Sequence, residues 1–320
     1  MIKEDRATRW TNLLKIDKHS MSKLSALAPD YKLDHKDQAI IHSDCQDIQN
    51  QLPMFEENEL RVYLELLLTY YCKTKKVNYT SGMHEVLAAF FLLGFSGIKT
   101  VYSAFDIFVK KMMPGVFTDP STLDPTFKIF HHLLMYHEPL LCSRLDGKMI
   151  SASVYGQKWF STLFASSLNI SLLLAFWEFC LQEQNPTLPY FFALVYMGKI
   201  KEKVLNKKNL SVNDLDLFEF FIDELEELDD LCQEALSLQH QTPTSFVTLI
   251  EKIILCKEPL NEQSQDLINS VALTILPSDA LVPKTGRFIV DLRSYSVYSV
   301  GHYPQTFNLP TSLKLSTGID

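Results

Sequence analysis

The sequence predicts a mainly α-helical protein, and three observations lead to that prediction. Apolar residues recur at three- and four-residue steps through most of the chain. In residues 58–71, for example, these steps bring Leu60, Leu64 and Leu67 onto one face. Several prolines stand where the apolar segments begin, as is common in the first turn of a helix. A β-branched and aromatic run that is typical of a strand occurs near the C-terminus, in residues 287–292.

Seven helices follow from this spacing. They are predicted at residues 58–71, 81–93, 98–113, 125–136, 151–166, 171–182 and 189–205. The helix at 81–93 is apolar on almost every side, so we expect it at the centre of the fold. Lysines between 199 and 208 then give a helix a basic end. The acidic run 214–234 carries Leu and Phe at helical spacing and is interpreted as a solvated helix face.

The composition of the 320-residue chain disfavours several classes of function. A net charge of −8 has the wrong sign for a general nucleic-acid-binding protein. Only 10 residues are glycine and no glycine-rich phosphate loop occurs, so we expect no nucleotide cofactor. Six scattered cysteines without a CxxC pair, and an N-terminus without an apolar signal segment, favour a cytoplasmic location. The most apolar stretch, residues 163–181, contains Asn169 and Glu178, which favours a buried helix over a membrane span.

The histidines do not predict a metal centre. His131, His132 and His137 are close in sequence, but steps of five and six residues do not share a helix face. Neither HxxxH nor HExxH spacing occurs. The sequence therefore predicts no metal site.

Three short motifs occur in a fixed order within residues 41–83, and aromatic positions continue the pattern downstream. The motif residues are Ile41, Asp44, Leu60, Arg61, Tyr71, Tyr79, Gly82 and Met83, followed by Tyr155, Trp159 and Trp177. Their order and spacing resemble the TBC (Tre-2/Bub2/Cdc16) domain family, whose members are all-helical GTPase-activating proteins for Rab GTPases. The aromatic residues are also explained simply as packing in a helical core. The resemblance implies a TBC domain over residues 1–235.

Two departures from the family pattern bear on activity. The first motif of active members, I-x-x-D-x-x-R, ends in an arginine that neutralises charge on the transferred phosphoryl group, and this chain has Asp47 there. The last motif, Y-x-Q-G-M, supplies a glutamine that orients the attacking water, and this chain has Ser81. A serine hydroxyl is shorter and lacks the amide. The resemblance therefore implies a TBC domain that is not an enzyme.

The C-terminal residues predict the beginning of an α/β unit: strand, turn, short helix, Gly-His turn and strand. Asp291, Arg293, Gly301 and His302 resemble the opening motifs of a rhodanese-like domain. Because the sequence stops at residue 320, we interpret residues 286–320 as a truncated domain start and residues 236–285 as a helical connector. No cysteine follows Cys256, so the chain as given offers no thiolate for sulfur transfer.

The catalytic arginine and glutamine of active members are called fingers. A TBC domain without either finger, followed by a rhodanese-like start, resembles a group of non-catalytic adaptors in endosome-to-Golgi vesicle capture. The resemblance implies golgin coiled-coil proteins as partners, a peripheral location at the trans-Golgi network, and recruitment of the WASH complex only through a separate C-terminal domain. Lys73, Lys75 and Lys76 are candidate partner contacts, and are also explained as an exposed helix end. A Rab GTPase-activating protein with non-standard residues and a Rab-binding module without turnover remain the alternatives.

Overall fold

A computed structural model describes residues 5–16, 31–254, 262–281 and 288–310, and these residues are mainly helical. The α-helices are α1 Arg6–Leu14, α2 Gln38–Asp47, α3 Asn58–Lys75, α4 Met83–Phe91, α5 Ile98–Met112, α6 Leu123–His137, α7 Pro139–Asp146, α8 Ala152–Ser161, α9 Ile170–Gln182, α10 Leu188–Asn206, α11 Leu225–Gln241, α12 Thr244–Ile254, α13 Glu262–Asn269, α14 Pro277–Leu281 and α15 Tyr295–Val300. Short 3₁₀ turns lie at Ile48–Asn50, Pro53–Glu56, Pro120–Thr122 and Leu215–Phe218. The strands are β1 Ile289–Asp291 and β2 Thr306–Asn308.

All seven predicted helices are present, and backbone geometry explains where their ends differ. The helix predicted at 81–93 begins only at Met83 because Gly82 has φ +100°, outside the helical region. The helix predicted at 151–166 ends at Ser161 because Leu163 and Phe164 both adopt positive φ. The helix predicted at 58–71 runs on for another turn, to Lys75.

The core is built around α4, as its apolar composition predicts. Phe90 is completely buried and its ring lies 5.8 Å from that of Trp10 and 5.9 Å from that of Trp177, measured between centroids. Most of the stretch 163–181 is buried too, and its Glu178 carboxylate accepts a 3.1 Å hydrogen bond from the Arg9 guanidinium. This ion pair explains how an acid is tolerated in an apolar helix. Among the described helices, none has the length and apolar character needed to cross a bilayer.

The interpretation of residues 214–234 as one helix face is wrong for its first half. After the 3₁₀ turn Leu215–Phe218 the chain is extended, and α11 begins only at Leu225. Side chains alternate here: Phe220 is half-buried and Ile222 is buried, whereas Glu219, Phe221 and Asp223 are exposed. A period of two is the pattern of extended backbone. A short run of mixed apolar and acidic residues is compatible both with this period and with the helical period of 3.6.

The basic and acidic segments near residue 200 neutralise each other. Lys199 pairs with Glu227, and the Lys207 ammonium lies 2.7 Å from the Asp214 carboxylate. Lys201 reaches across to Glu138 at 2.7 Å. These pairs explain the charge clusters as contacts within the fold.

The C-terminal residues form two short parallel strands joined by α15. Ile289 pairs with Thr306 and Asp291 with Asn308. Over the described residues the sheet has no further strand, so the fold that the structure establishes is the helical one.

Candidate functional site

The C-terminal half of α2 and the turn before α4 meet at the Asp44 carboxylate. Asp44 Oδ2 accepts a hydrogen bond of 2.8 Å from the Tyr79 hydroxyl and one of 3.0 Å from the Ser81 hydroxyl. His84 Nδ1 lies 3.5 Å from the same oxygen. The first and last motifs of the sequence pattern, 35 residues or more apart in the chain, therefore form one site.

Gly82 determines the conformation of this turn. Its φ is +100°, and a Cβ built on it would lie 2.7 Å from the Thr162 Cγ2 methyl. Both observations exclude a larger residue without rearrangement. The next residue, Met83, is completely buried, which anchors the turn and leaves Ser81 at the surface.

Tyr79 and His84 form a polar pair beneath the site. The Tyr79 hydroxyl donates to Asp44, so His84 Nδ1, at 2.9 Å, is assigned as the donor to the Tyr79 oxygen. Burial raises the pKa of Tyr79 far above its usual range, and the Asp44 carboxylate adds to this effect. Burial also lowers the pKa of His84, although the nearby carboxylates of Glu85, Asp44 and Asp47 oppose that shift. At neutral pH both rings are therefore uncharged.

The surface around this pair is acidic. Asp47 is exposed and lies three residues after Asp44, so both lie on one side of α2. Glu85 accepts a 3.3 Å hydrogen bond from Gln51. Within the described part of the chain, no lysine or arginine forms an ion pair with these three carboxylates. The site therefore presents negative charge to an approaching partner.

Arg61 is the arginine nearest in sequence to Asp47, and its side chain holds a turn of the backbone. Its Nη1 donates to the Gln49 side chain at 2.9 Å and to the backbone carbonyls of Phe55 and Glu56. These bonds fix the Pro53–Glu56 turn ahead of α3. The Arg61–Gln49 pair is a feature that the motif comparison missed, because an arginine and a glutamine twelve residues apart have no recognisable local spacing.

The remaining motif residues lie in the core. Ile41 and Trp177 are completely buried, and Tyr155 and Trp159 are nearly so. The indole of Trp177 donates to the Leu163 carbonyl at 2.9 Å. Their packing explanation is sufficient, and none of these four side chains reaches the Asp44 site through a described hydrogen bond or ion pair.

The candidate lysines are held at the end of α3. Lys73 pairs with Asp34 and lies 4.8 Å from the centre of the Tyr31 ring. Lys75 pairs with Asp106 at 2.6 Å. Lys76 follows the last helical residue with φ +57°, and its N–H bonds the Cys72 carbonyl. These contacts favour the explanation of the three lysines as a helix end.

The C-terminal motif residues form a local network between β1 and the turn after α15. The Arg293 guanidinium bonds both carboxylate oxygens of Asp291, and its Nη2 donates to the Gly301 carbonyl at 2.8 Å. His302 stacks on Tyr298, with ring centroids 3.9 Å apart. The network orients the turn that joins the two strands.

A second cluster lies away from the Asp44 site. His131 of α6 converges with Cys142 and Asp146 of α7, with possible ligand atoms within 4.8 Å of one another. The sequence prediction compared His131 only with other histidines. The cysteine and the acid, four residues apart in C-x-x-x-D, were the signal that could have found the cluster.

The fold and the motifs together identify the class of protein. A sequence profile described as the Rab-GTPase-TBC domain matches residues 3–205, so the chain belongs to the RabGAP-TBC family. The Ypt/Rab-GAP domain of Gyp1p superposes with a TM-score of 0.55 at 11% identity, covering 74% of this chain and 80% of that domain. The flagellar RabGAP TBC domain of Chlamydomonas gives 0.58 at 15%, with 72% and 78% covered. At these identities the likeness establishes the fold alone.

Curated relatives are larger proteins. The TBC domain-containing protein kinase-like protein of Dictyostelium discoideum is 22% identical over 244 residues, which are 73% of this chain and 23% of that protein. Its human counterpart is 19% identical over 129 residues, 40% of this chain and 14% of that protein. A small G protein signaling modulator 3 homolog of Xenopus laevis is 30% identical over 109 residues, which are 34% of this chain and 14% of that protein. The chain spans a quarter or less of the length of each.

Proposed function

We propose that this TBC domain binds its partner without stimulating GTP hydrolysis. The observation that carries the proposal is the chemistry of the two positions that the family motifs assign to the fingers. Asp47 replaces the arginine, and Ser81 replaces the glutamine and donates its hydroxyl to Asp44. Neither residue can neutralise phosphoryl charge or orient water through an amide.

The replacement of the arginine by Asp47 removes a positive charge and also adds a negative one. Transfer of the γ-phosphoryl group spreads negative charge over its oxygens, and catalysis needs a cation there. Asp47 is exposed and shares its surface with Asp44 and Glu85. Two like charges about 4 Å apart repel by about 4 kcal/mol at an effective dielectric constant of about 20. An acidic finger position would therefore oppose the transition state.

The proposed biological role is that of an adaptor in endosome-to-Golgi vesicle capture, with a golgin as partner. It rests on the resemblance to TBC domain family member 23, in which a TBC domain without fingers precedes a rhodanese-like domain. Residues 137–167 are close to that protein's H-E-P-x-L-C-x-x-L-D and Y-x-x-x-W pattern. The strand–helix–strand arrangement of residues 289–308 agrees with a rhodanese-like start without establishing it.

Single-turnover GTP hydrolysis by a panel of Rab GTPases tests the absence of catalysis. We expect stimulation of less than tenfold by this chain at saturating concentration, with a TBC domain that retains both fingers as the positive control. A larger stimulation of any Rab in the panel would overturn the proposal.

Binding to a golgin is tested separately with immobilised N-terminal golgin peptides and scrambled peptides of the same composition. We expect selective retention of this chain by at least one native peptide. If no native peptide retains this chain better than its scrambled counterpart, the adaptor role is refuted while the hydrolysis result stands by itself.

A second candidate function is GTPase activation through non-standard residues, and the Arg61–Gln49 pair favours it. These two side chains supply the missing chemical groups, although Arg61 is engaged with two backbone carbonyls. If stimulation is observed, Gln49→Ala should reduce it more than tenfold, whereas Gln46→Ala on the preceding turn should not. Equal effects of the two substitutions would reject this mechanism.

A further inference from the structure

The His131–Cys142–Asp146 cluster has the geometry of a metal site. Cys142 Sγ lies 3.6 Å from Asp146 Oδ2, and His131 Nε2 lies 3.7 Å from that oxygen and 4.0 Å from the sulfur. The three atoms therefore form a nearly equilateral triangle. A tetrahedral ion with zinc bond lengths of about 2.0–2.3 Å separates its ligands by about 3.3–3.6 Å. A contraction of a few tenths of an ångström would bring the triangle to that size.

Helix packing produces this convergence. Helix α6 ends at His137 and α7 begins at Pro139, so a single residue separates them. The two helices pack against each other. Cys142 and Asp146 are four residues apart and lie on the same face of α7. That face meets α6 at His131. Ligands on two rigid helices are positioned more accurately than ligands on loops.

A hydrogen-bonded catalytic relay does not explain the arrangement as well. In a cysteine–histidine–carboxylate relay the imidazole stands between the other two groups, and the acid contacts only the histidine. Here Asp146 is as close to the sulfur as to the ring. Cys142 is also buried, with 2% of its surface exposed, which keeps a substrate away from the sulfur.

The space beside the triangle leaves room for a fourth ligand. His131 and Asp146 line a cavity of about 510 Å³ between α6, the start of α8 and α13, together with Lys128, His132 and Ser153. His132 is 3% exposed, and its Nδ1 has no hydrogen-bond partner among the described residues. A buried ring nitrogen without a partner at the wall of a cavity is unusual, and it points to a missing water or ligand there.

We propose that His131, Cys142 and Asp146 bind one zinc ion, with a fourth position open to this cavity. One sulfur, one imidazole nitrogen and one carboxylate oxygen form a ligand set that suits Zn²⁺, whereas Mg²⁺ and Ca²⁺ prefer oxygen ligands alone. The ion would clip α6 to α7. This inference goes beyond the proposed function and does not depend on it.

The test is metal binding by the chelator-treated full chain. Zn²⁺ is titrated in competition with a chromogenic chelator, and Co²⁺ is used as a spectroscopic substitute. We expect one equivalent of Zn²⁺ to bind, thermal unfolding to shift to higher temperature, and the Co²⁺ adduct to show a thiolate charge-transfer band with tetrahedral d–d absorption.

Matched variants distinguish this site from incidental binding. Asp146→Asn and Cys142→Ser should each weaken zinc binding by more than about tenfold, since even outer-shell partners of a metal are worth about 10–100-fold. Cys232 on α11 is another buried cysteine, and Cys232→Ser should leave zinc binding unchanged. Asp146 has 50% of its side chain exposed, so its variant is expected to fold, which circular dichroism checks. Failure of the wild-type chain to bind zinc, or equal affinity of the three variants, would overturn the proposal.

Discussion

At the scale of single residues, Asp44 explains why an acid remains in the first motif whether or not the domain is catalytic. Its carboxylate ties α2 to the turn before α4 through the hydroxyls of Tyr79 and Ser81. Hydrogen bonds to a charged acceptor are stronger than neutral ones. Ser81 thus contributes to holding the site together at a position where the family has a glutamine, and Asp47 remains at the surface.

Restoring both fingers tests the assignment of these two positions. We expect Asp47→Arg combined with Ser81→Gln to raise single-turnover GTP hydrolysis by a bound Rab at least about 100-fold, because an arginine finger alone is worth about 10³–10⁵. Asp47→Asn with Ser81→Ala removes the same groups without supplying fingers and should give no such gain. If the restored variant binds a Rab and leaves its hydrolysis unchanged, the assignment is wrong.

Gly82 makes a prediction about stability. Gly82→Ala should lower the free energy of unfolding by about 2–4 kcal/mol, because it adds backbone strain at positive φ to a clash with Thr162. Gly94 also has a positive φ, +77°, but a Cβ added there would have no atom within 4 Å. Gly94→Ala therefore isolates the backbone strain and should lower the free energy of unfolding by about 1 kcal/mol. Urea unfolding measures both. Thr162→Ser removes the clashing methyl and should recover part of the Gly82→Ala loss; no recovery would contradict the clash.

His84 predicts how stability changes with pH. Burial lowers its folded-state pKa below the unfolded value of about 6.5, so the unfolded chain takes up the proton first. Its contribution to stability is complete above that unfolded pKa and is lost as the pH falls below it. The groups facing His84 are Tyr79, Asp44, Asp47 and Glu85.

Urea unfolding between pH 7.5 and about pH 5 measures this loss. We expect a smaller loss in His84→Gln than in the wild-type chain. We expect a larger loss in Asp47→Asn, because a carboxylate that favours the protonated ring is gone. A pH dependence that is the same in all three proteins would remove His84 from the explanation.

At the scale of elements, the segment after the Leu215–Phe218 turn shows that extended backbone can complete a helical core. Phe220 stacks on Tyr196 with ring centroids 3.9 Å apart and packs edge-on against Trp159 at 5.2 Å. The Tyr196 hydroxyl accepts a hydrogen bond from the Phe221 N–H at 3.1 Å. Ring packing on one side and solvent on the other therefore fix the alternation.

This alternation predicts opposite results for two neighbouring phenylalanines. Phe220→Ala should lower the free energy of unfolding by about 2–4 kcal/mol, since it removes an aromatic ring from a packed cluster. Phe221→Ala, with 57% of the residue exposed, should cost less than about 1 kcal/mol. Equal losses in urea unfolding would show that the segment does not alternate.

In the molecule as a whole, two ion pairs to one buried acid join the N-terminal helix to the centre of the domain. Glu178 of α9 is nearly buried and lies near Arg6 and Arg9 of α1, the Arg9 contact spanning 169 residues of sequence. Both arginines are more than one third exposed, so solvent screens them. The acid is therefore the group whose pairing matters most.

Glu178→Gln is expected to lower the free energy of unfolding by about 1–2 kcal/mol and to reduce the protection of α1 from amide hydrogen exchange. Glu183→Gln, at the exposed end of the same helix, should have little effect on either. Unchanged protection of α1 in Glu178→Gln would show that apolar packing of Trp10 alone holds this helix.

Much of the fold could be predicted because helical periodicity is local. The seven helices were predicted correctly from apolar spacing, and α4 was expected at the centre because it has no polar face. Residues 219–224 were wrongly predicted as helical because six residues do not distinguish a period of two from one of 3.6. The motif residues of the candidate site were found, but the partners that occupy Arg61 were not.

Residue order and spacing are enough to predict that the chain is helical, that it carries the TBC motifs in order, and that an acid and a serine stand where the arginine and glutamine fingers are expected. Each helix and each motif depends on residues within a few turns of one another, and the order of the motifs is read directly along the chain. Three contacts became visible only in the packed fold: Ser81 bonds Asp44, Arg61 holds the turn before α3, and His131 meets Cys142 and Asp146. Such meetings depend on how rigid helices pack across the core, and no local period encodes that packing.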